Sequence, residues 1–458
     1  MKLLKILLVV VVIVMVLLVG AVLFINHKLQ SPETKQLALN AAQEALGTKV
    51  QINDLHISLF SGIRLRGVTI ANPEGFSGSL LTADEFVLRY NLWPLLQKRL
   101  EIETLALRKP VITLSRNDKG RWNYDQLGAQ SAAAPPQAAA AAAQPQAAPA
   151  AAPAPPPAKR AGVDITLSKL ALEHAEILIL DEKNKELVRI HDLSVTSRLR
   201  TSGSQMEGGG HATIETLSAA NSLFARNIAA PIKMSAERVT LAPLSGTLAG
   251  GAVSGEVGLN LAGAFQYAVN IKVKDGDMGK LLEEAKTKPV LTGKLQAETA
   301  LTGTGGLATM RGNGKLEIVN GTLIGVPLLE TLAVLLHINE LRNLKFTECR
   351  FEFTMADNKM PTPVIRLISP QVQITGNGVV SLADYSLHHD VTLAVAPDLL
   401  AKVPSEIRDI FKKQPDGFLA ITFQVTGPYD APKNNITETL LKGAAQNLLQ
   451  KGLRKIFR

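Results

Sequence analysis

The chain has 458 residues, a formal net charge of +9, 4% aromatic residues and a single cysteine, Cys349. One thiol excludes an internal disulfide and a multi-cysteine metal site. Lys2 and Lys5 stand near the start, and Lys442, Lys451, Arg454, Lys455 and Arg458 stand near the end with no acid among them. Cations at two chain ends with few stacking rings argue against a nucleic-acid surface and suit membrane headgroups.

Ile6 to Ile25 is an apolar run without a charge. At about 1.5 Å per residue it is long enough to cross the ~30 Å hydrocarbon layer as a helix. Ile6, Val12, Leu18 and Ile25 mark this membrane anchor. The run leads into Asn26, His27 and Lys28 and lacks a small-x-small cleavage site, so residues 1–27 read as an uncleaved single-pass anchor. Lys2 and Lys5 then keep the N-terminus cytoplasmic and send the body across the membrane, to the periplasm or another extracytoplasmic space.

Residues 28–128 form the next region. Ser31, Pro32 and Glu33 open a short helix that Gly47 ends. From residue 50 the apolar period becomes two: Ile63 and Leu65, Val68 and Ile70, then Phe86, Leu88, Tyr90 and Leu92 read as strands with one apolar face. In LALRKPVITLSRNDKGRWNYDQL, Leu105 and Leu107 fall on one parity and Ile112 and Leu114 on the other. A bulge at Lys109-Pro110 would move the apolar face in this way. An aliphatic residue followed by others at +3 and +5 recurs at Ile52/Leu55/Ile57, Leu65/Val68/Ile70, Ile102/Leu105/Leu107, Leu167/Leu170/Leu172 and Ile190/Leu193/Val195. The odd step inside a strand demands a bulge or break.

Residues 129–161 are almost all Ala, Pro and Gln, an extended linker or insertion. Strand patterns resume over 162–434, for a total of about sixteen strands. Without long intervening helices, successive strands are expected to pair antiparallel as a meander. Helices are predicted over 326–341 and, broken by Pro404, over 398–413. Residues 435–458 form a basic amphipathic helix with Leu440, Leu441, Ala444, Leu448, Gly452 and Ile456 on one stripe. Lys451, Arg454, Lys455 and Arg458 are its candidate contacts to a membrane or a protein partner.

Chemistry-bearing motifs are weak. GTGGLA at 303–308 fits a dinucleotide fingerprint, but strand character follows where a helix is needed. His388 and His389 point to opposite faces of a strand, so they do not share a metal, and they read as a solvated strand start. DGD at 275–277 reads as a turn. Neither a catalytic pair nor a cofactor is assigned, and the chain is expected not to be an enzyme.

The stretch 2–127 resembles the AsmA family of bacterial envelope proteins. It carries the membrane anchor, GTKVQINDLHISLFSGIRLRGVTIANPEGF, LLTADEFVLRYNLWPLL and LEIETLALRKPVITLSRNDKGRWNYDQL in that order. NGTLIGVPLLETL, FEFTM, IRLISPQVQITGNGVVSLADYSL and FQVTGPYDAPK are similar to the family's C-terminal region. The resemblance implies an inner-membrane-anchored periplasmic protein related to bridge-like lipid-transfer proteins. Its fold would be mainly β: an elongated, curled antiparallel sheet forming a taco-like groove, with a few peripheral helices. It also implies a role in phospholipid traffic and outer-membrane integrity, with outer-membrane or periplasmic protein partners.

On that reading Ile63, Leu65, Val68, Ile70, Leu105, Leu107, Ile112, Leu114, Leu170 and Leu172 are candidates for the apolar face of the groove. The other reading is a membrane-tethered periplasmic scaffold, or regulator of outer-membrane protein assembly, whose apolar faces close into an ordinary core.

Overall fold

The computed structural model describes residues 32–58, 62–91, 94, 99–127, 164–202, 205–262, 265–304, 309–401 and 403–456. The anchor residues Ile6, Val12, Leu18 and Ile25 and the Ala/Pro-rich stretch lie outside them. Among the described residues, no helix is long and apolar enough to cross a membrane. The fold is mainly β, with 21 strands in one mixed sheet and few helices. The contacts divide it into two units.

The first unit comprises residues up to Leu217 together with Ile232–Glu237. It opens with α1 (Pro32–Leu46), where Pro32 and Glu33 occupy the first turn. Gly47 ends that helix at φ 69°, its N–H donating to the Gln43 carbonyl at 2.8 Å. Strands β1 (Val50–Ser58), β2 (Gly62–Ala71), β3 (Ser79–Asn91) and β4 (Arg99–Arg108) pair antiparallel in succession. β5 (Val111–Ser115) continues along β3. β6 (Asp164–Leu180) and β7 (Glu186–Ser202) form an antiparallel hairpin, followed by β8 (Gln205–Ala219) and β9 (Leu223–Ser235).

The expected meander fails at one place: β6 runs parallel to both β4 and β5. Parallel neighbours need a crossover connection of a dozen or more residues, and the stretch between Leu127 and Asp164 supplies one. A sequence reading that looks for tight turns sees only a linker there.

The second unit comprises Ser218–Pro231 and Arg238–Arg458. β10 (Arg238–Leu248), β11 (Gly251–Asn260), β12 (Gln266–Asp277), β13 (Leu291–Thr304), β14 (Arg311–Ile324), β15 (Asn343–Met355), β16 (Lys359–Ile368), β17 (Val372–Ser381) and β18 (Ser386–Val395) form an antiparallel meander. β20 (Leu419–Pro428) pairs with β18 and carries the two-residue strands β19 (Lys412–Lys413) and β21 (Lys433–Asn434). The strand count exceeds sixteen because such short pairings, and the division of one run into β4 and β5, leave no periodic signature.

The helices are α2 (Met278–Glu284), α3 (Pro327–Leu336), α4 (Ser405–Arg408) and α5 (Ile436–Ile456). DGD is the end of β12 rather than a free turn. Gly276 sits at a register shift, and Asp277 caps α2 by accepting from the Lys280 N–H at 3.0 Å. Pro327 opens α3, whose Leu329, Leu332, Ala333 and Leu336 are buried. They pack on the sheet residues Leu295, Ile318, Leu344, Phe346, Leu393 and Ile421, joined by Leu400, Ile436 and Leu440. Burying a side chain of this size contributes about 1.5–3 kcal/mol, so this cluster is the main core of the second unit.

Candidate functional site: the apolar sheet face

In the first unit one sheet face gathers the residues singled out from sequence. Ile63, Leu65, Val68, Ile70 and Leu105 are buried in one cluster, with Leu107, Ile112 and Leu170 packed against it. Leu114 is buried outside that cluster and Leu172 is half-buried. Helix α1 lies on the same cluster through Leu39, Ala42 and Leu46, so much of this face is covered.

The odd steps in the sequence are real changes of face, and they line up across the strands. Ile52 pairs with Val68 and Leu55 with Leu65; Val68 pairs with Ala83 and Leu65 with Phe86; Phe86 pairs with Leu107 and Leu107 with Leu172. Between the members of each step, two residues turn away from the apolar cluster. Gly67 and Asp192, inside the Leu65/Val68 and Ile190/Leu193 steps, have left-handed backbone at φ 59° and 51°, as do Lys109 and His174, at 43° and 53°, just beyond Leu107 and Leu172. The Ile102/Leu105 and Leu167/Leu170 steps carry register shifts, as expected of bulges.

At Lys109-Pro110 the device is a kink and not the expected bulge. Arg108 faces Glu85 and Val111 faces Thr82, so two residues oppose two and no register is lost. The kink is held by Lys109 N–H donating to the Glu173 carbonyl at 2.7 Å and by Glu176 N–H donating to the Pro110 carbonyl at 2.8 Å. The left-handed residue turns the chain, which moves the apolar parity from Leu107 to Pro110 and Ile112.

The turn after β5 closes one end of this cluster. Trp122 and Tyr124 stack with ring centroids 5.7 Å apart, and Tyr124 packs on the apolar cluster. Burial, with the nearby Asp125 charge, pushes its phenol up to about 12. Between the rings in sequence, fully buried Asn123 accepts from Ser115 N–H at 3.2 Å and donates to the Thr113 carbonyl at 2.7 Å and Asn72 Oδ1 at 2.8 Å. Sequence reasoning missed Asn123, whose only signal is a polar residue between two aromatics.

In the second unit the apolar face extends past the helix-covered core. Leu259, Tyr267, Val269, Leu301, Phe351, Phe353, Ile365, Val380 and Leu387 are half-buried and share it with core residues of the same strands. None belongs to a buried cluster or to the side chains packed on one. From β11 to β20, nine successive neighbours at about 4.8 Å per step give a stripe about 38 Å long. In the stripe and in the core beside it, aromatic rings lie over directly paired glycines: a Cβ on Gly303, Gly314 or Gly321 would meet the ring of Tyr267, Phe353 or Phe346 at 2.3–2.4 Å. Glycine removes the side chain that would oppose bending, and the neighbouring ring covers the exposed backbone.

The opposite face is polar. Asn270 donates to Glu256 at 2.8 Å and Lys272 pairs with Glu298 at 3.2 Å. Two concavities of about 910 and 880 Å³ are lined in part from this side, one by Arg238, Gln266, Thr302, Arg311 and Asp357 together with Leu259 and Tyr267, the other by Glu256, Lys272, Glu298 and Lys315 together with Phe353.

His388 and His389 do point to opposite faces, but His389 is buried on the apolar side and not solvated. Its Nε2 lies 2.7 Å from the buried Thr362 hydroxyl. Burial, assisted by His388, lowers its basicity. Burial also pushes the Cys349 thiol up to about 11, which leaves little thiolate at neutral pH. Among the described residues, no three His, Cys, Asp or Glu side chains gather as a metal site.

In α5, Leu440 enters the core, whereas Leu441, Leu448 and Leu449 are exposed. The side chains of Lys451, Arg454 and Lys455, and all of Arg458, lie outside the described residues.

Comparison with known sequences matches residues 1–202 to the AsmA family. Comparisons with curated proteins and with solved structures found no match. The matched stretch ends in β7, so it includes α1, β1–β6 and the whole row of face switches. Over residues 1–202 the chain is similar to the AsmA family.

Proposed function

We propose that this is a non-enzymatic, inner-membrane-anchored periplasmic protein that binds phospholipid on an apolar β-groove and conducts it between the inner and outer membranes, supporting outer-membrane integrity. The observation that carries the reading is the half-buried apolar stripe of the second unit, which continues beyond the helix-covered core. Each methylene that leaves water on such a surface contributes about 0.8 kcal/mol, so acyl chains can bind there while headgroups stay in water. The AsmA match and the mainly β fold support it.

The test is native mass spectrometry of the full chain extracted in neutral detergent, combined with uptake of a fluorescent phospholipid. Phospholipid should co-purify, and Val269→Glu or Phe351→Glu should remove most of it by placing a charge on the stripe. Uptake that is absent, or equal in wild type and both variants, defeats the conduit reading.

A second reading rests on the first unit, where α1 covers the apolar face. A face that is closed throughout suits a membrane-tethered scaffold or a regulator of outer-membrane protein assembly. Failure of the lipid test would favour that role.

A further inference from the structure

The polar face of the first unit carries a built depression that neither reading uses. Val87, Ala106 and Ala171, on β3, β4 and β6, are 6%, 3% and 3% exposed and form a small cluster on the side opposite the covered apolar face. Val87 pairs with Ala106, and Ala106 with Ala171. Around this floor stand Arg64, Arg89, Arg108 and Lys169 with Thr104 and Glu173, enclosing about 170 Å³. Small residues form the bottom because long side chains from two positions away stand over them.

The cations outnumber the local acids. Glu85 takes Arg108 Nη1 at 2.5 Å, Arg64 Nε at 3.3 Å and Arg66 Nε at 3.6 Å. Glu173 takes Arg108 Nε at 2.9 Å and Lys169 Nζ at 3.7 Å. Two carboxylates therefore engage four cations, and among the described residues Arg89 makes no ion pair. Arg64 comes closest to Glu85 through Nε, at 3.3 Å, and its guanidinium carries further N–H donors.

We propose that this cup binds a phosphate group. Arg89 supplies the uncommitted guanidinium, and Arg64, Arg108 and Lys169 supply the remaining donors above the Val87 and Ala106 floor. Planar guanidinium forks match phosphate oxygens in pairs, and the cup retains positive charge after its own carboxylates are satisfied. Within the first unit the site lies on the opposite sheet face from the apolar cluster, and it does not rest on the lipid reading. The phosphate can belong to a membrane headgroup or to a soluble phosphate compound.

The experiment uses the full chain in neutral detergent. Isothermal titration with inorganic phosphate and with glycerol phosphate is run beside native mass spectrometry with phosphatidylglycerol and with phosphatidylcholine. Arg89→Gln, an exposed and unpaired position, should weaken binding about tenfold, the scale of one lost charge-assisted contact. Ala106→Leu should block the floor without changing charge, whereas Lys359→Gln in the other unit should change nothing. Arg89-dependent retention of phosphatidylglycerol over phosphatidylcholine identifies a headgroup as the source. Binding of the two soluble phosphates alone identifies a soluble compound. Wild type and Arg89→Gln behaving alike toward all the phosphates would overturn the proposal.

Discussion

The imidazole of His389 reaches across Gly378 to the hydroxyl of Thr362, two strands away, with Nε2 and Oγ1 2.7 Å apart. A Cβ on Gly378 would meet His389 Cδ2 at 2.6 Å, so the glycine provides the ring's path. Because burial lowers the folded-state pKa of His389 below the ordinary imidazole value of 6.5, the unfolded chain binds the proton more readily. The contribution to stability is complete above that value and is lost as pH falls through it toward the lowered folded pKa. The melting temperature of wild type should therefore fall more steeply than that of His389→Gln between pH 7 and pH 5. Parallel curves would show that this imidazole does not titrate with folding.

Asn123 joins Ser115, Thr113 and Asn72 from a fully buried position. Asn123→Ala strands a backbone N–H and a carbonyl, which should cost about 2–3 kcal/mol in chemical denaturation. Asn123→Asp retains the acceptor and loses both donors, so a smaller loss than for alanine would mean that the donated bonds matter little.

The aromatic-over-glycine pairs make a coupled prediction. Gly314→Ala should lower the melting temperature, because its Cβ would lie 2.4 Å from the Phe353 ring. In the Phe353→Leu background the same change should cost less, giving a coupling of about 0.5–3 kcal/mol in a double-mutant cycle. Additive losses would show that the ring does not depend on the missing side chain.

Lys109 holds a left-handed backbone at φ 43°, and its Nζ lies 3.6 Å from Asp84 with both side chains exposed. An exposed ion pair of that length contributes at most about 1 kcal/mol. Glycine removes a left-handed penalty of about 1–2 kcal/mol, part of which its greater unfolded-state freedom cancels. Lys109→Gly should therefore leave stability unchanged or raise it slightly, whereas the β-branched Lys109→Val should lower it. Equal losses for both would assign the role to the lysine side chain.

The period-two runs were legible in sequence because a half-buried strand must alternate, and Pro327 and Gly47 marked helix ends by simple stereochemistry. The step of three was also legible as an interruption, but its form was not. A bulge and a left-handed kink produce the same parity change, and only the pairing of Arg108 with Glu85 and Val111 with Thr82 distinguishes them. The burial of His389 was hidden because its partner Thr362 lies 27 positions away. The cup over Val87 and Ala106 was hidden for the same reason, as Lys169 and Glu173 of its wall lie on the other side of the Ala/Pro-rich stretch. The uncovered stripe could be anticipated only as alternation, because coverage depends on where α1 and α3 come to rest.

The parallel course of β6 sets a lower limit on the stretch that precedes it. Asp164 stands beside Arg99, and Leu180 beside Ser115, so the chain must return along the whole of β4 and β5 before β6 can begin. That return is about 50 Å at ~3.3 Å per strand residue, which about fifteen extended residues can cover. Residues 128–163 exceed that reach. What the parallel pairing fixes is therefore a minimum contour length between Leu127 and Asp164, and the number of residues there is more than twice that minimum.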